Sequence, residues 1–270
     1  MPRSGTWLSF FFFEYFDSFL TDGRPIRTHA TTYTYEGLGF TKAHAHLMCP
    51  GFPEFYNGPL RPAWDALEFK VAGINSGYDW LAEQQGHFFN VHFNRDVRIA
   101  YLYRNPLDQA VSHFHHLHWR QRPMEADQFR AGLLAWLRET AIESYIKQYF
   151  TYHVMRQAFP GRIICVGYED LIRAPRERLG EIASHFGCDI DTSYKRDCFD
   201  RALEAVAPSS LREVEAELGH AFGHPEVTQD SHMQGGEIGK WRQWLDDATV
   251  AEIDRRFAAF DLSLGDFVLT

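Results

Sequence analysis

Apolar and polar positions alternate between two periods along this chain. Val97 to Tyr103 (VRIAYLY) is a short β-branched and aromatic run stopped by Arg104-Asn105-Pro106, the mark of a buried strand ending in a turn. Arg162 to Gly167 (RIICVG) is a second such strand. Helical patterns fill the spaces around them. Residues 7–20 (WLSFFFFEYFDSFL) predict a buried helix that opens directly after Pro2-Arg3-Ser4-Gly5-Thr6. Phe129 to Phe159 predicts two helices. Arg176 to Phe186 places Leu179, Ile182, Ala183 and Phe186 on one face, with Gly187 as the stop. Thr249-Val250-Ala251-Glu252 reads as a capping box, with Val250, Ile253, Phe257 and Phe260 as the buried stripe behind it. Residues 48–65, rich in Pro, Gly and aromatics, read as irregular loop.

Buried strands alternating with amphipathic helices predict an α/β fold: a central parallel sheet flanked by helices on both faces. With no internal repeat or low-complexity linker, residues 1–270 read as a single domain. Ligands of such sheets sit beyond the carboxyl ends of the strands, and the chemically interesting segments below fall at those places.

Composition narrows the partners. The 45% hydrophobic fraction is ample for a core, and the formal net charge of −9 argues against a general nucleic-acid binder. A polyanionic ligand must then be held by a few placed cations and backbone N–H groups. Cys49, Cys165, Cys188 and Cys198 lack CxxC spacing and read as reduced thiols. The apolar run Trp7 to Phe13 is interrupted by Glu14 and Asp17, too short for a span of about 20 residues. It also lacks the basic start and cleavage site of a signal peptide. The expectation is a cytoplasmic protein without stable membrane insertion.

Two segments carry anion chemistry. In Pro2-Arg3-Ser4-Gly5-Thr6, Gly5 lets backbone approach a ligand, the helix start offers N–H groups, Ser4 and Thr6 offer hydroxyls, and Arg3 offers a forked cation. In Arg104-Asn105-Pro106-Leu107-Asp108-Gln109-Ala110-Val111-Ser112, Pro106 suits a first helical turn, leaving Arg104 and Ser112 at two ends of one turn-and-helix unit.

Taken together, these segments resemble the sulfotransferases that use 3′-phosphoadenosine 5′-phosphosulfate (PAPS). That family carries a P-[KR]-S-G-T loop and an R-N-P-x-D-x-x-x-S segment. Tyr168-Glu169-Asp170-Leu171 and Gly236-Glu237-Ile238-Gly239-Lys240-Trp241 match its YEDL and late G-x-x-G-x-W segments in order and spacing. The resemblance spans nearly the whole chain and implies a P-loop-kinase-like sulfotransferase fold. It implies that Arg3, Ser4, Gly5, Thr6 and Trp7 hold the 5′-phosphosulfate, that Arg104 and Ser112 hold the 3′-phosphate, and that Tyr168 lies near the adenine. Gly236, Gly239 and Lys240 belong to the segment that closes over the 3′-phosphate. The implied donor is PAPS, used without a metal. The acceptor is a small molecule, lipid or carbohydrate, contacted by residues 45–95 and the histidine-rich stretch after Ser112.

Thr41-Lys42-Ala43-His44-Ala45-His46 resembles the family's K-x-H, in which histidine is the general base and lysine contacts the transferring sulfuryl group. An acceptor hydroxyl must lose a proton as it attacks sulfur, and neutral histidine suits that near pH 7. On a strand Lys42, His44 and His46 share one face, so His46 is the rival base if the register differs. The catalytic set is therefore His44, Lys42 and Arg3.

The chain departs from the family in three ways. The loop begins at residue 2, so either a preceding segment is missing or the sheet lacks its first strand. Thr6 is followed directly by Trp7, where the family often has a second hydroxyl residue. The late motif opens Gln234-Gly235-Gly236 where the family has Arg-Lys-Gly; Lys240, Arg242 and Arg212 are the nearby cations available to compensate. These departures sustain a second reading, a non-catalytic descendant that binds a nucleotide or partner. Gly235 to Lys240 (GGEIGK) is one residue short of a Walker A loop and lacks its Ser/Thr. His113, His115, His116 and His118 read as histidines spread around a helix, with no carboxylate or cysteine in ligand spacing.

Overall fold

The computed structural model describes residues 5–21, 32–35, 38–41, 46–47, 88–89, 98–119, 125–158, 161–219 and 237–267. The chain divides into two compact units. One comprises Met1–Ser4, His44–Glu169 and Gly239–Thr270; the other comprises Gly5–Ala43 and Asp170–Ile238.

The first unit is built on strands β5 (Ile99–Tyr103) and β6 (Ile163–Gly167), which pair in parallel from Ile99 opposite Ile163 to Tyr103 opposite Gly167. These are the two strands expected from the apolar runs, in the expected orientation. Their shared hydrophobic core is completed by α2 (Pro106–Trp119), α3 (Ala126–Trp136), α4 (Ile142–Ala158) and α9 (Asp247–Ala258). Leu107, Phe114, Phe129, Leu133, Ile146 and Phe257 are among its buried side chains. The stretch predicted as two helices is α3 and α4 joined without a turn by one π-helical segment, Leu137–Ala141. Leu137 and Ala141 face the core there, so the wider winding keeps both helices' apolar stripes on it. Arg138, on the outer side of that segment, forks onto Glu252 of α9 at 3.0 and 2.8 Å.

The start of α9 corrects one expectation. Thr249 is not the cap. Asp246, in extended backbone, accepts the Thr249 N–H at 2.8 Å, and the helix begins three residues earlier than the capping-box pattern predicts. A carboxylate is the stronger acceptor for the positive helix start. The stripe behind it is as expected, with Ile253, Phe257 and Phe260 buried and Val250 half-buried.

In the second unit, α1 (Thr6–Leu20) packs against α7 (Ser193–Ala205). Phe12 and Phe16 meet Phe199 with ring centroids 4.8 and 5.6 Å apart, and Phe13 meets Phe186 of α6 (Pro175–Phe186) at 5.8 Å. Tyr194 closes the far end by donating its hydroxyl to the carbonyls of Phe19 and Leu20. Gly187 ends α6 in the left-handed conformation, φ 81°, as its position predicts. A short α5 (Tyr168–Arg173) follows β6, its first two residues belonging to the first unit and the rest to the second, and α8 (Pro208–Leu218) follows α7.

Short strands complete the described chain. β1 (Thr32–Tyr35) and β2 (Leu38–Thr41) form an antiparallel pair that the sequence pattern does not single out, and β3 (His46–Leu47) runs parallel to β4 (Phe88–Phe89). The predicted loop at 48–65 lies outside the described residues.

Candidate functional site

The best-defined part of the site is the junction between β5 and α2. Three consecutive residues build it. Arg104 leaves the strand, Asn105 caps the helix and Pro106 opens it, as the missing N–H of proline allows. The Asn105 side chain accepts the N–H groups of Leu107 and Asp108 at 3.0 and 3.3 Å, satisfying two of the helix's first donors.

Arg104 is held on three sides. Its carbonyl accepts the Tyr145 hydroxyl at 2.6 Å. The next peptide N–H, that of Asn105, donates to the Glu169 carboxylate at 2.9 Å. Its guanidinium carbon lies 4.6 Å from the centre of the Tyr168 ring, within the range of a cation–π contact. Tyr168 and Glu169 stand immediately after β6, so the parallel pairing that sets Tyr103 opposite Gly167 also brings the two motifs side by side. The residue is 6% exposed, so its charge sits among protein groups rather than in water. Burial raises the Glu169 carboxyl, an effect opposed by the Asn105 N–H and the Arg104 charge. Burial likewise pushes the Tyr145 phenol well above its ordinary range, so it remains a hydroxyl donor.

The late glycine segment is tied to the same helix. Asp108, in the first turn of α2 and buried, accepts the Gly239 N–H at 2.6 Å and the Trp241 N–H at 3.2 Å. Gly239 has φ 85°, a left-handed conformation that suits glycine, and it starts the 3₁₀ turn Lys240–Gln243. Lys240 is half-buried in that turn. The Arg242 guanidinium lies 4.6 Å over the Trp241 ring, and it occupies the space where any other residue at 239 would carry its Cβ. Ser112 is half-buried one helical turn beyond Asp108, on the same face of α2.

Arg104, Tyr168, Ser112, Gly239 and Lys240 thus belong to one unit, with Arg104 stacked on Tyr168 and Gly239 fastened to the turn preceding Ser112. Gly5 and Trp7 stand in the other unit. Gly5 has φ 80°, the left-handed residue from which α1 springs, and its carbonyl accepts the Ser9 N–H at 3.1 Å. Trp7 is half-buried and stacks on Phe11 at 5.2 Å. Arg3, Ser4, Lys42, His44 and Gly236, and the side chains of Thr6 and His46, lie outside the described residues. β2 ends at Thr41 and β3 begins at His46, on either side of the Lys42–His44 pair.

The sequence reading missed four residues at this site: Asn105, Asp108, Tyr145 and Glu169. Asn105 was legible, because Asn before Pro at a strand end is a helix-cap signature. Asp108 and Glu169 stand inside the motifs, yet nothing in their spacing tells which backbone they meet. Tyr145 lies 41 residues from its partner and carries no local signal. The α2 histidines pack on aromatics, His113 against Trp136 at 5.3 Å, His115 against Phe129 at 6.1 Å and His118 against Phe114 at 4.2 Å. Among the described residues no group of three His, Cys, Asp or Glu is placed to hold a metal ion. None of the described helices is long and apolar enough to cross a membrane.

No curated protein matches the chain by sequence. Among solved structures it resembles the crystal structure of mouse sulfotransferase SULT7A1 complexed with PAP, with a TM-score of 0.50 and 15% identity. The match covers 88% of this chain and 99% of that one, a likeness of fold. The model of the sulfotransferase domain family matches residues 1–260, and the chain belongs to that family.

Proposed function

We propose that this protein is a PAPS-dependent sulfotransferase, folded as a single sulfotransferase domain over residues 1–270, acting on a hydroxyl or amine of a small-molecule, lipid or carbohydrate acceptor in the cytoplasm. The observation that carries the reading is the braced Arg104: a buried guanidinium, stacked on Tyr168, at the start of a helix that carries Ser112. That donor set fits a phosphate of the PAPS nucleotide, with an aromatic ring beside it suited to adenosine.

The reaction is an in-line displacement at sulfur. The acceptor oxygen or nitrogen forms the new bond to sulfur as the bond from sulfur to the bridging 5′-phosphate oxygen breaks. 3′-Phosphoadenosine 5′-phosphate (PAP) leaves with that electron pair. Arg3 and Lys42 offset the charge growing on the bridging oxygen and the sulfonate, and His44 takes the acceptor proton. Ser4, Gly5, Thr6 and Trp7 seat the 5′ end, and Arg104, Ser112, Gly236, Gly239 and Lys240 the 3′ end. The protein's work is mainly placement and charge stabilisation, as in phosphoryl transfer.

The test is transfer of label from ³⁵S-PAPS to a panel of phenols, alcohols, amines, sugars and lipids, with Arg104→Ala in parallel. Labelled product with the native chain, abolished by Arg104→Ala, is the expected result. PAP binding without transfer to any acceptor would favour the non-catalytic nucleotide-binding reading.

A further inference from the structure

The late motif of this chain has Gln234-Gly235 where an arginine and a lysine are expected, so its anion-holding charge must come from elsewhere. Of the three nearby cations, Lys240 and Arg242 flank Trp241 in the turn fastened to α2, whereas Arg212 is on α8. Arg242 stands out by its geometry. Its guanidinium lies back over the Trp241 ring, 4.6 Å from the ring centre, and rests on the bare Cα of Gly239. Gly239 is left-handed, and Arg242 Nη1 lies where a Cβ at that position would stand.

The backbone under that cation is fixed to the helix that carries Ser112. Asp108 holds the N–H groups on either side of Lys240, those of Gly239 and Trp241. Its carboxylate thereby fixes the two peptide N–H groups that flank Lys240. The arrangement leaves a forked cation, pre-placed by an aromatic ring, on the segment clamped one turn from Ser112. Preorganised guanidinium is the group best matched to a phosphate's paired oxygens.

We infer that Arg242 replaces the missing Arg-Lys pair and is a donor-specificity residue, contacting the 3′-phosphate of the nucleotide from the Gly239–Arg242 turn. The inference rests on the PAPS reading given under the proposed function. Arg242 is exposed, so its substitution leaves the core intact.

The experiment is calorimetric titration of the native chain, Arg242→Ala, Arg242→Lys and Arg212→Ala with PAP and, separately, with adenosine 5′-monophosphate. Arg242→Ala is expected to weaken PAP binding about tenfold, the scale of one lost charge-assisted contact, while changing adenosine 5′-monophosphate binding less than about twofold. Arg242→Lys restores the charge without the fork and falls between. Arg212→Ala matches the native chain. The inference is overturned if Arg242→Ala binds PAP as the native chain does, if it loses both nucleotides equally, or if Arg212→Ala shows the selective loss instead. A native chain that prefers PAP to adenosine 5′-monophosphate upholds the donor reading whatever Arg242 does. One with no such preference overturns the donor reading and the role of Arg242 together.

Discussion

The Asp108 carboxylate accepts the Gly239 N–H at 2.6 Å, joining the first turn of α2 to a segment 131 residues later in the chain. With the Trp241 N–H as its second donor, this side chain is the clamp that gives the late motif its position. Asp108→Ala leaves two backbone donors without their acceptor, at a cost of about 1–3 kcal/mol in stability. It also frees the turn that carries Lys240 and Arg242. PAP binding should weaken by about tenfold or more, with adenosine 5′-monophosphate less affected. Thermal melts with and without each nucleotide read both effects.

A second brace acts on the backbone of Arg104. Tyr145→Phe keeps the ring in the core and removes only the hydroxyl that meets the Arg104 carbonyl at 2.6 Å. The expected loss is about 1 kcal/mol of stability, as for a typical buried hydrogen bond. Because the brace positions the guanidinium, PAP affinity should also fall a few-fold, with no change in the turnover number at saturating donor. A stability loss with unaltered PAP affinity would limit Tyr145 to a structural role.

His44 is the proposed base, so His44→Ala should lower turnover by about 10²–10⁴-fold. PAP binding should survive, since the residue is assigned to the acceptor proton. His46→Ala is the paired variant. If it carries the loss and His44→Ala does not, the base is His46.

Glu14 provides a pH dependence separate from the site. It is buried in the aromatic helix α1, and among the described residues neither carboxylate oxygen has a hydrogen-bond partner. Burial pushes its carboxyl up to about 7. The folded state therefore binds this proton more tightly than the unfolded chain, whose carboxyl ionises near 4.5. Stability from this group is full below pH 4.5 and is lost as the pH rises through 7. Glu14→Gln should flatten that decline and raise stability at pH 8 by something on the order of 2–3 kcal/mol. Denaturant melts at pH 5 and pH 8 test it, and parallel pH profiles for native and variant chains would contradict it.

The sequence exposes what local pattern controls. Both strands of the parallel pair, α1, α6 with its Gly187 stop, and the stripe of α9 follow from runs of apolar residues at strand or helix period. So do the segments that carry Arg104, Ser112, Tyr168 and Gly239. Hidden from it are the choices that depend on who meets whom in space. Asp246 rather than Thr249 caps α9 because the carboxylate reaches the Thr249 N–H, a distinction of three residues that the pattern does not resolve. Asp108, Glu169 and Tyr145 act on backbone far along the chain, at separations of 131, 64 and 41 residues. Their roles come from packing and not from period. The Arg242 contact with Gly239 is hidden for the opposite reason. It is local, but it depends on a left-handed glycine and a side chain folding back over Trp241.

The proposed donor carries phosphates at both ends of its ribose. Calorimetric titration of the native chain with PAP and with ADP tests this most directly, because each carries two phosphates and only their placement differs. The prediction is PAP binding at least tenfold tighter than ADP. Equal binding of the two, or preference for ADP, would contradict the assignment of Arg104 and its neighbours to a 3′-phosphate.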